Sequence, residues 1–244
     1  MSSASSSRRL SPARFVVCLG LALLFFPGGA RAGVDVDSVR VDSVPRTGTI
    51  VWAQVAVRTT PDLTSARTML LTQFRKDFRP RVVLAVGTRY GANSEPAWYR
   101  LSIPGRPNGR TGWVPAASLE VQPILKEILI DRSERRLEFR DHGKLVLRTT
   151  VAVGAPGMPT PLGLFYVVAK YVPDNSFLGV FAFETSAYSS LSEWPGGGVV
   201  GIHGTSLPQL LGQAVSHGCV RVANEAIGKL RRLVPVGTPI RIVA

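Results

Sequence analysis

Two short stretches decide how this chain is read: Gly201-Ile202-His203-Gly204-Thr205 and, after a gap of twelve residues from His203, Ser216-His217-Gly218-Cys219-Val220-Arg221-Val222. Cys219 is one of two cysteines, and the other, Cys18, lies in an N-terminal segment with the marks of a secretion signal. A secreted chain left with one cysteine has no internal disulfide partner. Cys219, close to a histidine and a glycine, therefore reads as a thiol kept for chemistry. A free thiol, with a pKa of about 8.5, is only a few per cent thiolate at neutral pH. An adjacent imidazole can raise that fraction or take the proton as attack occurs. His217 shares a face with Cys219 if the segment is a strand, unless Gly218 turns the chain. His203 ends a separate run, Gly198-Val199-Val200-Gly201-Ile202, and can meet Cys219 across a hairpin-like connection. Gly204 and Gly218 allow close approach of a substrate, and the N–H groups of Gly218 and Cys219 are candidate oxyanion donors. Arg221 shares a face with Cys219 on a continuing strand and is placed to pair with a substrate carboxylate.

The export reading rests on three adjoining features. Arg8, Arg9 and Arg14 make a positive start, Phe15 to Phe26 is an apolar run, and Ala30-Arg31-Ala32 fits a small-x-small cleavage site ahead of Gly33. The run is shorter than the roughly 20 residues a membrane span needs. Residues 1–32 are thus expected to be a signal peptide, by the general or the twin-arginine route, leaving no stable membrane span. Their removal takes four arginines with it and lowers the formal charge from +13 to +9. Such a balance suits an anionic cell envelope. The chain has no Lys/Arg run, zinc-finger spacing or RNP-like motif, which argues against nucleic acid as a partner.

After a lead-in at 33–46, residues 47–121 read as short strands and turns. Val51–Val57 alternates weakly, Arg81–Gly87 is a buried-strand pattern, and Pro104–Gly109 is a turn. The charged segment Arg67 to Pro80 reads as a long mobile loop or a short helix. Trp98-Tyr99-Arg100-Leu101 and Gly112-Trp113-Val114 resemble the strands that close bacterial SH3-like barrels. The three aromatics are read first as barrel core and second as a groove for a wall ligand. Val121-Gln122-Pro123 reads as a linker to a second domain, 124–244. That domain opens with a β-meander, Glu127–Ile130, Arg136–Phe139 and Leu145–Val153, turning at Asp141-His142-Gly143, with His142 solvated. One helix follows the cysteine, from Asn224, a good N-cap, to Leu233, with Ile227, Leu230 and Leu233 on one side. Ile240–Val243 closes the domain. The fold class is mainly β, and with no coiled-coil heptads the protein is taken as a monomer.

Together with Thr160-Pro161-Leu162-Gly163-Leu164-Phe165, the two opening stretches resemble the signature of the YkuD-type L,D-transpeptidases over about residues 125–244. The resemblance implies cell-wall chemistry in the periplasm or wall. A cysteine attacks the bond between diaminopimelate and the terminal D-Ala of a peptidoglycan stem tetrapeptide. D-Ala leaves, and an amine from a second stem resolves the thioester into a 3-3 cross-link. By position, Cys219 is the nucleophile and His203 the general base, and His217 orients the site, though the two histidines could exchange roles. Ser216, Gly218 and Gly204 support the site or its oxyanion hole, and Arg221 and Thr205 contact the substrate. No cofactor is implied. Three alternatives stay open: an L,D-carboxypeptidase using water as acceptor, a zinc hydrolase with His203, His217 and Cys219 as ligands, and a non-catalytic wall-binding protein.

Overall fold

The computed structural model describes residues 45–193 and 195–244. The expected signal peptide and nearly all of the lead-in lie outside them. The first part is an antiparallel sheet of seven strands: β1 (Arg46–Ile50), β2 (Gln54–Arg58), β3 (Arg67–Thr72), β4 (Val82–Tyr90), β5 (Pro96–Ser102), β6 (Thr111–Pro115) and β7 (Leu119–Pro123). They lie in the order β3-β2-β6-β5-β4-β1-β7. Inward residues on alternate positions, Val55 and Val57 on β2 and Tyr99 and Leu101 on β5, make its core with Ile50 and Val114. Tyr99 and Trp113 are buried and Trp98 is half-buried. Arg100 lies over the Trp113 ring, 5.9 Å from its centroid.

Two expectations for this part are corrected. Arg67–Thr72 is neither a loop nor a helix but the edge strand β3, paired with β2 from Gln54↔Thr72 to Arg58↔Arg67. Its outward residues meet solvent and only Leu71 is buried, so it lacks the alternation that would mark it. Val121-Gln122-Pro123 is not a linker either. It finishes β7, which pairs with β1 through Arg46↔Pro123, and a proline is tolerated there because β7 is an edge strand.

The second part follows after two residues. It comprises β8 (Lys126–Asp131), β9 (Arg136–Asp141), β10 (Lys144–Gly154), β11 (Gly163–Tyr171), β12 (Ala182–Tyr188), β13 (Val199–His203), β14 (Ala214–Ser216), β15 (Val220–Val222), α1 (Asn224–Leu233) and β16 (Pro239–Val243). The nine strands run β14-β10-β15-β13-β12-β11-β16-β8-β9, and β9 also pairs with β10. The long strand β10 joins the two ends of the sheet. Lys144–Thr150 pairs with β9, and the stretch from Val151 pairs with β15 and β14. Ile128, Ile130, Leu137, Phe139, Val220 and Val222 are among the side chains that fill the interior.

Helix α1 covers this core with Ile227, Leu230 and, just past its end, Val234. At 100° per residue, 234 returns to the azimuth of 227, whereas 233 does not. Leu233 is accordingly exposed, against the sequence expectation. Lys170 Nζ donates to the carbonyls of Arg231 (2.8 Å) and Val234 (2.7 Å), placing a cation on the helix C-terminus.

Candidate active site

Strands β13 and β15 run parallel, with Ile202 opposite Val220 and His203 opposite Arg221. The connection between them is a crossover through β14 rather than the hairpin expected. Val200, Ile202, Val220 and Val222 point into the core, so Gly201, His203, Cys219 and Arg221 share the other face. That face lines a cavity of about 490 Å³, whose walls also include Tyr171, Phe177, Glu184 and His217.

Cys219 is half-buried. Its Sγ accepts a hydrogen bond from the Gly201 N–H at 3.3 Å. Burial pushes the thiol pKa up, opposed by that N–H and by the Arg221 cation. His203 is buried, and its Nδ1 lies 2.6 Å from the Gly204 carbonyl. A carbonyl only accepts, so Nδ1 carries the proton and Nε2 holds the free lone pair. Burial holds the imidazole pKa below its ordinary value and the Arg221 cation adds to this. The Gly204 and Leu178 carbonyls act the other way. Thiol up and imidazole down both oppose a resting thiolate–imidazolium pair. Of the two thiol-activation routes open in the sequence, the site favours proton transfer during attack.

The bend that presents Cys219 is held from several sides. Ser216, almost fully buried, donates Oγ–H to the Cys219 carbonyl (2.5 Å) and accepts the Gly218 N–H (3.2 Å). The Gly218 N–H is therefore engaged within the bend and is not an oxyanion donor as expected. Gly218 has φ +111°, and a Cβ there would meet Ser189 at 3.1 Å. Ser189 Oγ donates to the His217 carbonyl at 3.0 Å. Thr160, from the upstream Thr-Pro element, accepts the Gly154 N–H at 2.9 Å, and the Ala155 N–H holds the Ser216 carbonyl at 2.8 Å.

Gly204 and Thr205 are placed differently from expectation. The Gly204 N–H goes to the Phe181 carbonyl at 3.0 Å, so this residue serves the site through its own carbonyl. Thr205 is buried away from the cavity lining. Its N–H and C=O are both held by the Asn224 side chain, at 3.1 and 3.0 Å, and its Oγ1 accepts the Leu207 N–H. Asn224 is not the N-cap of α1; Ala223 holds that position. Asn224 Oδ1 instead also receives the Val180 N–H at 3.3 Å, and a Cβ on Gly204 would lie 2.2 Å from it.

Arg221 is buried, with its guanidinium 4.8 Å from the Phe177 ring centroid and an Nε that makes no hydrogen bond among the described residues. Among the described residues no group of three or more His, Cys, Asp or Glu side chains is arranged to hold a metal ion. No helix among them is long and apolar enough to cross a membrane. His142 stands exposed at the turn between β9 and β10, with φ +51° followed by Gly143 at +73° and its Nδ1 2.7 Å from Asp141.

The first sheet reaches one lining residue of this cavity, Glu184, through Arg75, and the segment 188–197 beside it through Arg106 and Asn108. Arg106, between β5 and β6, donates Nε and Nη2 to the Ser189 carbonyl (3.1 and 2.8 Å), Nη2 to Leu191 O (3.1 Å) and Nη1 to Gly197 O (2.9 Å). Asn108 exchanges two hydrogen bonds with the Tyr188 backbone. Arg75, between β3 and β4, pairs with Glu184 at 3.0 Å.

Residues 125–242 match the family model of the YkuD L,D-transpeptidase catalytic domain. The chain is 32% identical to the YkuD protein of Bacillus licheniformis and 35% identical to that of Bacillus subtilis, each over 115 residues, 47% of this chain. It spans 64% of the length of these relatives. An L,D-transpeptidase structure from Mycobacterium tuberculosis aligns with 67% of this chain and 90% of its own, at 16% identity and a TM-score of 0.44. Over residues 125–242, then, this chain matches the L,D-transpeptidase catalytic domain of the YkuD family.

Proposed function

We propose that this protein is an exported cysteine acyltransferase acting on peptidoglycan tetrapeptide stems, releasing D-Ala and forming 3-3 cross-links. The observation that carries the reading is the parallel β13–β15 pair. It turns His203, Cys219 and Arg221 to one cavity, with His203 held in the tautomer of a general base. Residues 1–32 would direct export and be removed, and the first sheet would be an SH3-like module with affinity for the wall. The protein would act as a monomer.

In the first step His203 Nε2 takes the Sγ proton as sulfur bonds to the diaminopimelate carbonyl carbon. The Cys219 N–H supports the oxyanion. Collapse breaks the C–N bond, and the departing D-Ala amine takes the proton back from His203. In the second step an acceptor amine forms a C–N bond to the same carbon. The C–S bond breaks, and His203 passes a proton from the amine to sulfur. Arg221, a cation lining the cavity, is placed to hold a stem carboxylate. His217 lines the cavity and, through its carbonyl, fixes the bend.

The test is intact mass of the mature protein and of Cys219→Ala after incubation with a diaminopimelate tetrapeptide. The expected result is an adduct of the tetrapeptide minus D-Ala that requires Cys219. Turnover in Cys219→Ala, or a folded wild-type protein giving neither adduct nor free D-Ala, would sink the mechanism.

A further inference from the structure

The acyl-transfer steps leave one charged wall of the cavity without a task. Glu184 stands on β12 between Phe183 and Thr185, both buried, so alternation turns it to the opposite face, where it lines the cavity. The β12–β13 register sets it opposite Gly201. The β13–β15 register, with Ile202 opposite Val220, sets Gly201 beside Cys219. Glu184, Gly201 and Cys219 thus form a row across three adjacent strands. With strands about 4.8 Å apart, the outer two backbones are about 10 Å from each other. Gly201 puts no side chain between them. A Cβ there would lie only 4.0 Å from Cys219 Sγ. Tyr171 borders the same space. Burial holds its phenol above the ordinary pKa, with the charges of Cys219 and Glu184 adding to the effect.

The carboxylate is only half committed. Oε2 takes Arg75 Nη2 at 3.0 Å, and Oε1 accepts no hydrogen bond among the described residues. Arg221, two residues along β15 from Cys219, puts a cation in the same cavity. The free end of a diaminopimelate side chain carries one ammonium and one carboxylate, and this cavity offers one group of each opposite sign.

We propose that Glu184 is the ammonium subsite of this centre, its Oε1 receiving the side-chain amine of a diaminopimelate residue as –NH3+ beside the thioester. The proposal rests on the acyl-transfer reading above. The bound ammonium gives one proton to solvent, and the neutral amine then attacks the thioester carbon. The new C–N bond replaces C–S, and the second amine proton passes through His203 to the Cys219 sulfur.

The experiment compares the full mature protein with Glu184→Gln, which keeps the shape and a hydrogen bond to Arg75 but removes the charge. An isotopically labelled tetrapeptide donor and an unlabelled stem acceptor are used, and mass spectrometry follows thioester formation, cross-linked dimer and hydrolysed tripeptide. Water is the uncharged acceptor in the same tube. If the acceptor amine sits on Glu184, the dimer-to-tripeptide ratio falls about fivefold, as expected for losing one charge-assisted hydrogen bond in a partly solvated site. If the donor's own amine sits there, KM for thioester formation rises instead. A fallen ratio, partly restored by Glu184→Asp, supports the subsite and the attack from it; a raised KM, likewise restored, supports the ammonium subsite but overturns the attack step. A second variant, Arg75→Gln, leaves the carboxylate and removes its partner, and its ratio is expected not to fall. Wild-type ratio and wild-type KM in Glu184→Gln would overturn the proposal. So would equal losses in Glu184→Gln and Arg75→Gln, which would make the pair a strut. A wild-type protein that forms no thioester would remove the acyl-transfer reading itself.

Discussion

Replacing Asn224 with alanine tests whether His203 is held in place by the start of the following helix. The side chain makes three hydrogen bonds: Thr205 N–H and C=O at 3.1 and 3.0 Å, and Val180 N–H at 3.3 Å. The first two satisfy the backbone of a buried residue, and the third is long. At a net 0.5–1.5 kcal/mol for each of the two shorter bonds, Asn224→Ala should cost about 2 kcal/mol. At 2–4 °C per kcal/mol for a protein of this size, the melting temperature should fall by about 4–8 °C. The same loss frees the Gly204 carbonyl, which lies between Thr205 and the imidazole it orients, and acylation should slow about tenfold. Asn224→Asp keeps an acceptor for both N–H groups but sets an anionic oxygen against the Thr205 carbonyl. Its position in the first turn of α1 returns about 0.3–1 kcal/mol. It should therefore fall between wild type and alanine. Thermal unfolding followed by circular dichroism, with acylation timed by intact mass, reads both quantities. Wild-type melting and wild-type acylation in Asn224→Ala would refute the idea that this amide positions His203.

Three further outcomes follow from the electrostatics and from the contact between the two sheets. Alkylation of Cys219 by iodoacetamide should rise along a single limb centred above the ordinary thiol value of about 8.5, and a reactive plateau between about pH 6 and 8 would reveal an ion pair. His203 resists protonation in the folded protein but takes a proton at its ordinary value of 6.5 when unfolded. Stability is then retained above that pH and lost as pH falls through it, and His203→Gln should flatten this slope in denaturant titrations at several pH values. Arg106→Ala removes the donors to Ser189, Leu191 and Gly197 carbonyls. The expected result is faster proteolytic nicking within 189–198 and a KM for the donor raised about threefold, while an unchanged nicking pattern would show the contact to be dispensable.

The shared face of Cys219 and Arg221 was legible because strand alternation is local: residues two apart on an extended segment face the same way whatever their neighbours do. The meander was legible for the same reason, down to the turn at Asp141-His142-Gly143. The row Glu184–Gly201–Cys219 was not, because a parallel register joined by a crossover is set by tertiary packing rather than by any short stretch. Glu184 left only a weak trace, a lone acid in the apolar run Phe181 to Ala187. Asn224 was misread because an asparagine at a helix start has an ordinary explanation in capping, and its actual partners lie 19 and 44 residues away. Arg67–Thr72 was hidden because its consecutive Met69-Leu70-Leu71 shows no period-two alternation, only Leu71 being buried on this edge strand. The bend at Ser216–Cys219 was spelled out by its glycine, but its use of the Gly218 N–H depended on a hydroxyl two residues back.

Arg106, Asn108 and Arg75 all leave the first sheet to grip main chain or charge on the second, outside the segment that matches the L,D-transpeptidase model. The segment that matches the family model is thus smaller than the unit that braces this cavity. A chimaera that grafted residues 125–242 onto a different leading module would keep Cys219 and His203, yet leave the carbonyls of Ser189 and Gly197 to water and Glu184 without its cation. Transplanting this cavity therefore means carrying over three residues that lie outside the matched segment.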